Sequence, residues 1–200
     1  MPPIPTLEKL RLRCQTLAAL IPPLHREYQA AKHDTQRHLI ETLIGAGLWY
    51  LPKVNGLWTG LISTTALEQC LKGAFATRRP SEEHLVPRKI AARQLLDLTL
   101  HDLDKLAAEI ERRYLCVYVR FHFVTSTENK ILVQHQRSDV FENPAVTYER
   151  AGVSFRRVSE VELRAARRGN EDVIREAIAR ESVSRVDFDR LLLTEQPRSS

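Results

Sequence analysis

The chain has 200 residues, 43% apolar and 28% charged, the make-up of a globular protein with one domain plus appendages or two small domains. No stretch approaches the ~20 apolar residues that cross a bilayer, and the start "MPPIPTLEKLRLR" lacks the apolar run of a secretory signal. Membrane insertion and export are therefore not expected, and the formal charge of +5 is concentrated early: residues 1–80 hold ten Lys/Arg against five Asp/Glu.

Leu7, Leu10, Cys14, Leu17 and Ile21 recur at three- and four-residue steps, which predicts an amphipathic helix over 6–20. Pro22-Pro23 is expected to stop it, with Pro23 opening a second helix that runs to about Leu48 through Leu24, Tyr28, Leu39, Leu43 and Ile44. The two form a helical hairpin. "GLWYLPKVNGLWTGLIS", with both tryptophans, reads as a compact loop wedged between helices. Thr65 and Glu68 have capping-box spacing for the helix that follows, which ends near Gly73.

"EEHLV" reads as a short strand before Pro87, followed by helices over 88–97 and 100–114, the second opened by Thr99. In "CVYVRFHFVT", residues 116–125, Val117, Val119, Phe121 and Phe123 would share one strand face, and Tyr118, Arg120, His122 and Val124 the other. Thr125 and Glu128 form a further capping box, so a helix starts directly off the strand end. Then come a turn at Asn143-Pro144, a short helix, a stop at Gly152, a last strand in "VSFRRV", and helices from Ser159 interrupted at Gly169-Asn170. The tail "TEQPRSS" is expected to fray. The fold class is thus α+β and mostly helical, divided into a helical region 1–76, a core 77–158, and C-terminal helices with a tail over 159–200.

Three cysteines without a CxxC pair argue against a disulfide framework and a zinc knuckle, and suit a reducing cytoplasm. Glu83-His84 carries more chemistry. A carboxylate suits a hard cation such as magnesium, and histidine can deprotonate water near neutral pH. On a strand the two point to opposite sides, one toward a metal and one toward the water. An acidic surface turn that contains a histidine is the alternative. Asn129, in the first turns of the helix after the second strand, is a second oxygen donor, and a helix N-terminus also favours a phosphate. Arg88, Lys89 and Lys130 are candidate phosphate contacts, or solvated surface charges. His122 either reaches the same site or is a structural histidine.

"EHLVPRK" and "FHFVTSTENKIL" together resemble the HNH, or ββα-metal, endonucleases: an acid–His pair followed after two residues by Pro, then a strand leading into an Asn-bearing helix. The resemblance covers residues 81–90 and 116–133, with about thirty mostly helical residues between the strands and no Asn in 85–115. It implies that the N-terminal helical hairpin is followed by an expanded ββα-metal-like core with a helical insertion and then a C-terminal helical segment. It also implies His84 as general base, Glu83 and Asn129 as ligands of Mg2+ or Mn2+, and hydrolysis of DNA or RNA phosphodiesters. The alternative function is a non-catalytic helical module with a degenerate HNH-like core. Such a module would bind nucleic acid or a protein partner through the basic N-terminal hairpin; a third reading is a structural or regulatory subunit with the tryptophan loop at an interface, and a homo-oligomer is a candidate assembly.

Overall fold

The computed structural model describes residues 5–54, 57–73, 80–98, 102–136, 141–185, 187–188 and 190. The expected cap at Thr99 and the tail 194–200 lie outside these. The chain forms two compact units. Among the described residues the first takes in 5–57 and 86–119, and the second 58–85 and 120–190. The sequence boundaries at 76/77 and 158/159 both fall within the second unit.

In the first unit, α1 spans Thr6–Ala30, α2 Asp34–Trp49, α4 Arg88–Leu96 and α5 Leu103–Arg113. The helical hairpin is present: α1 packs on α2 and on α5, and α2 packs on α4. Leu10, Cys14, Leu17, Ala18 and Ile21 form the buried stripe of α1. Gly45 lets α2 approach α4 closely, because a Cβ there would lie 3.2 Å from the Arg88 carbonyl oxygen.

Pro22-Pro23 does not end the first helix, which runs on to Ala30. Two interior prolines remove two helical N–H donors and cost several kcal/mol. Tertiary contacts on either side hold the axis in place. Ile21 is 2% exposed just before them; just after, His25 Nδ1 lies 2.6 Å from the Leu96 carbonyl and the Tyr28 hydroxyl donates to Glu41 at 3.0 Å. The second helix instead opens at Asp34, where the His33 and Gln36 side chains form a capping box. Asp102 caps α5, accepting from the Asp104 and Lys105 N–H groups.

The expected strand from 116 is corrected in its first half. Tyr114–Tyr118 forms a π-helical turn that prolongs α5, with Tyr114, Cys116 and Tyr118 buried. The Tyr114 hydroxyl donates to the Leu51 carbonyl at 3.2 Å, and such tertiary anchoring outweighs the strand propensity of the alternating aromatic and β-branched residues.

In the second unit, β1 spans Trp58–Ser63, α3 Thr64–Leu71, β2 Ser81–His84, β3 Phe121–Val124 and α6 Ser126–His135. After them come α7 (Pro144–Arg150), β4 (Phe155–Arg157), α8 (Glu160–Arg167) and α9 (Glu171–Ala179). The strands make one mixed sheet in the order β2-β3-β1-β4, with β1 parallel to β3 and the other pairs antiparallel. "WTGLIS" is therefore a central strand, not a loop. Gly60 at φ +78° accommodates the irregularity in the register between Trp58 and Ile62.

Ile62 and Phe123 face a core completed by Leu67 of α3, Leu163 of α8, and Ile174 and Ala177 of α9. The opposite face carries Ser63, Glu83, His122 and Phe155, and meets α6 and α7. Ser63, not Thr65, caps α3 by accepting from the Ala66 N–H. The expected capping box at Thr125 and Glu128 is present, as are the Gly152 stop at φ +66° and the break at Gly169; Asn143, expected in a turn, caps α7 by accepting from the Val146 N–H.

Candidate functional site

β2, the inserted α4 and α5, β3 and α6 follow in that order, so the strand–insertion–strand–helix connectivity is present. What decides the chemistry is the register of β2 against β3. Glu83 stands opposite His122, and His84 opposite Phe121. Residues directly opposite on antiparallel strands share a face, so Glu83 and His84 belong to different faces with different neighbours.

On the α6 and α7 face, the Glu83 carboxylate is 7% exposed and accepts a hydrogen bond from Gln136 Nε2, just past the end of α6. Burial pushes its carboxyl up to about 7, while the Gln136 bond works in the opposite direction. His122 has no exposed surface, which fits the structural histidine of the two expected readings, more deeply buried than the polar strand face beside Arg120 suggests. Burial and the neighbouring His84 push it down to about 3, which keeps the imidazole neutral. Its ring meets Tyr148 and Phe155 nearly at right angles, with centroids 5.0 and 4.7 Å away. Neither His122 ring nitrogen, nor the buried Tyr148 hydroxyl, has a hydrogen-bond partner among the described residues.

Asn129 does not meet this carboxylate through any described hydrogen bond. It sits in the second turn of α6, partly exposed, and Gln136 comes seven residues later, about 10 Å along the axis. The start of α6 follows Val124, whose partner on β2 is Ser81 rather than Glu83. Among the described residues no group of three His, Cys, Asp or Glu is placed to hold a metal. Glu83, buried against Gln136, and Asn129, two turns from it, do not fit one shared divalent ion. Lys130 is exposed on α6. Arg88 and Lys89 are exposed in the first unit, where the Arg88 guanidinium lies 4.5 Å from the Trp49 ring centroid.

On the other face, His84 is the first of three half-buried rings. Its ring centroid is 6.2 Å from Phe121, which is opposite it on β3, and Phe121 is in turn the register partner of Trp58 on β1. The row His84–Phe121–Trp58 thus crosses three neighbouring strands. Phe123 lies behind it, 5.5 Å from Phe121 and 6.0 Å from Trp58, with the exposed Arg167 guanidinium 5.7 Å from its ring. Glu82 shares this face and is exposed. Sequence reasoning places Phe121 on a strand face and Trp58 in a loop, and names neither of them, nor Arg167, as a site residue. The alternation in "WTGLIS" was the available signal, obscured by the glycine that forms the bulge.

No family model, curated protein or solved structure matches the chain. Among the described residues no helix is long and apolar enough to cross a membrane.

Proposed function

We propose that the chain is a binding module for single-stranded nucleic acid, built on ββα connectivity without metal-dependent hydrolysis. The observation that carries this reading is the row of His84, Phe121 and Trp58 across β2, β3 and β1. Trp58 and Phe121 pack on one side against the core of α3, α8 and α9, which fixes them, and the surface they leave uncovered is available to unstacked bases, for which stacking is indifferent to base identity. Arg167 beside Phe123 adds a cation at the edge of the platform, and the overall charge of +5 favours a polyanion. The burial of Glu83 against Gln136, about two helical turns from Asn129, supports binding over cleavage, because the two expected metal ligands then share no ion.

The test is fluorescence anisotropy with a labelled single-stranded oligonucleotide. Trp58→Ala and Phe121→Ala should each weaken binding by about 1–3 kcal/mol, roughly 5- to 150-fold, with affinity that falls as salt rises. Trp58 emission should be quenched on binding. Incubation with magnesium or manganese should leave the strand intact. Metal-dependent cleavage abolished by His84→Ala would overturn the proposal in favour of the hydrolase that the HNH resemblance implies.

A further inference from the structure

The helical hairpin of the first unit leaves an apolar face uncovered. On α2, Leu39, Leu43, Ala46 and Tyr50 follow at four-, three- and four-residue steps and so lie on one side. Leu39 is 60%, Leu43 53% and Tyr50 76% exposed. On α1, Lys9, Arg13, Thr16, Leu20 and Glu27 likewise share one side, all exposed, Leu20 at 51%. Thr16 and Leu20 meet Gly47 and Tyr50 around a cavity of about 260 Å³, which joins the two stripes into one groove. Between Leu39 and Tyr50 the sole charged residue is Glu41, which is buried and paired with Arg93. Contiguous apolar surface of this kind marks an interface in a soluble protein.

The arrangement of charge on this face selects the occupant. Arg13 lies seven residues before Leu20 and Glu27 seven residues after it, so each is about 10 Å from Leu20 along the axis. A second copy, applied antiparallel about a twofold axis through Leu20, brings each Arg13 opposite the other copy's Glu27, with Lys9 one turn further on. The same operation lays the Leu43 stripe on its counterpart. Isologous contact of this kind requires a self-complementary face, which this one has. From Lys9 to Glu27 the face is about 27 Å long, and it is two helices wide at 8–10 Å spacing. That offers roughly 500 Å² per copy, the low end of specific interfaces. We infer that the chain forms a weak homodimer through the exposed face of the α1–α2 hairpin.

Sedimentation velocity of the full chain tests this across roughly 1–100 µM, the range where a dimer of this area dissociates. The wild type should pass from monomer to dimer across that range, and Leu43→Glu, an exposed position, should remain monomeric with an unchanged circular dichroism spectrum. Glu27→Arg alone should raise the dimer Kd by about tenfold or more, and the double variant Arg13→Glu/Glu27→Arg should restore it. A wild type that stays monomeric throughout, or a dimer indifferent to Leu43→Glu, overturns the inference. So does a double variant as weak as Glu27→Arg when its helical signal and melting midpoint match the wild type. Oligonucleotide binding by a monomeric Leu43→Glu variant separates failure of this inference from failure of the binding reading.

Discussion

Glu83 and His122 face one another across β2 and β3, and their protonation opposes in sign. Glu83 has a folded value of about 7 against an ordinary 4.5, so the native state holds a proton that the unfolded chain has lost; its contribution is full below pH 4.5 and is lost as pH rises toward 7. His122, lowered to about 3 from 6.5, contributes stability that is full above pH 6.5 and is lost as pH falls toward 3. Between about pH 4.5 and 6.5 the two slopes cancel, and the wild-type melting midpoint should change little from this pair. Glu83→Gln removes one slope, so the difference between its stability and that of the wild type should grow across pH 4.5–7 by on the order of 3 kcal/mol, read from urea or thermal unfolding at each pH. At the same scale, His84 retains a partly exposed ring beside Phe121. His84→Ala should therefore weaken oligonucleotide binding less than Trp58→Ala, since it removes the smallest ring of the row.

Among the elements, two charged residues hold pieces of secondary structure together. Glu128 Oε2 accepts from the Thr125 N–H at 2.8 Å and from Ser63 Oγ at 2.7 Å, while Ser63 Oγ accepts from the Ala66 N–H. One buried carboxylate therefore serves the N-termini of both α3 and α6. Glu128→Ala should cost about 2–4 kcal/mol, more than a single lost cap, measured by chemical unfolding. Glu41, fully buried on α2, accepts from Arg93 on α4 at 2.8 and 3.1 Å and from Tyr28 on α1 at 3.0 Å. Arg93→Ala strands that carboxylate and should destabilise by about 3 kcal/mol, whereas replacing Arg93 and Glu41 together by leucine should cost much less. Elements whose signals are local were legible in the sequence: the Thr125–Glu128 box and the Gly152 and Gly169 breaks all stand where their chemistry puts them. What misled were features settled by distant partners. Pro22-Pro23 stays helical because α2 and α4 grip the turn beyond it, and Tyr114–Tyr118 stays wound because Tyr114 is tied to Leu51. The candidate site was half legible. The β2–β3–α6 connectivity follows from hydrophobic pattern and the separation of Glu83 from His84 from strand alternation, but the register that sets Glu83 opposite His122 and His84 opposite Phe121 is a long-range property with no local signature.

For the molecule as a whole, the interleaving of its two units has a temporal consequence. The chain passes from one unit to the other at 57/58, 85/86 and 119/120, so neither unit is a continuous stretch. During synthesis at roughly 5–20 residues per second, β1 and β2 leave the ribosome well before β3, the strand that lies between them. Both wait with unpaired edges for some seconds, and the first unit meanwhile lacks α4 and α5, its partners for α2 and α1. Fragments that end before residue 86 should therefore be aggregation-prone and sensitive to protease, while chains released after residue 119 should acquire protection in the first unit and those released after α9 in both, as pulse proteolysis of stalled nascent chains can measure. A polypeptide arranged this way closes its first unit only after it has begun its second, and the early strands of the second wait open while it does so.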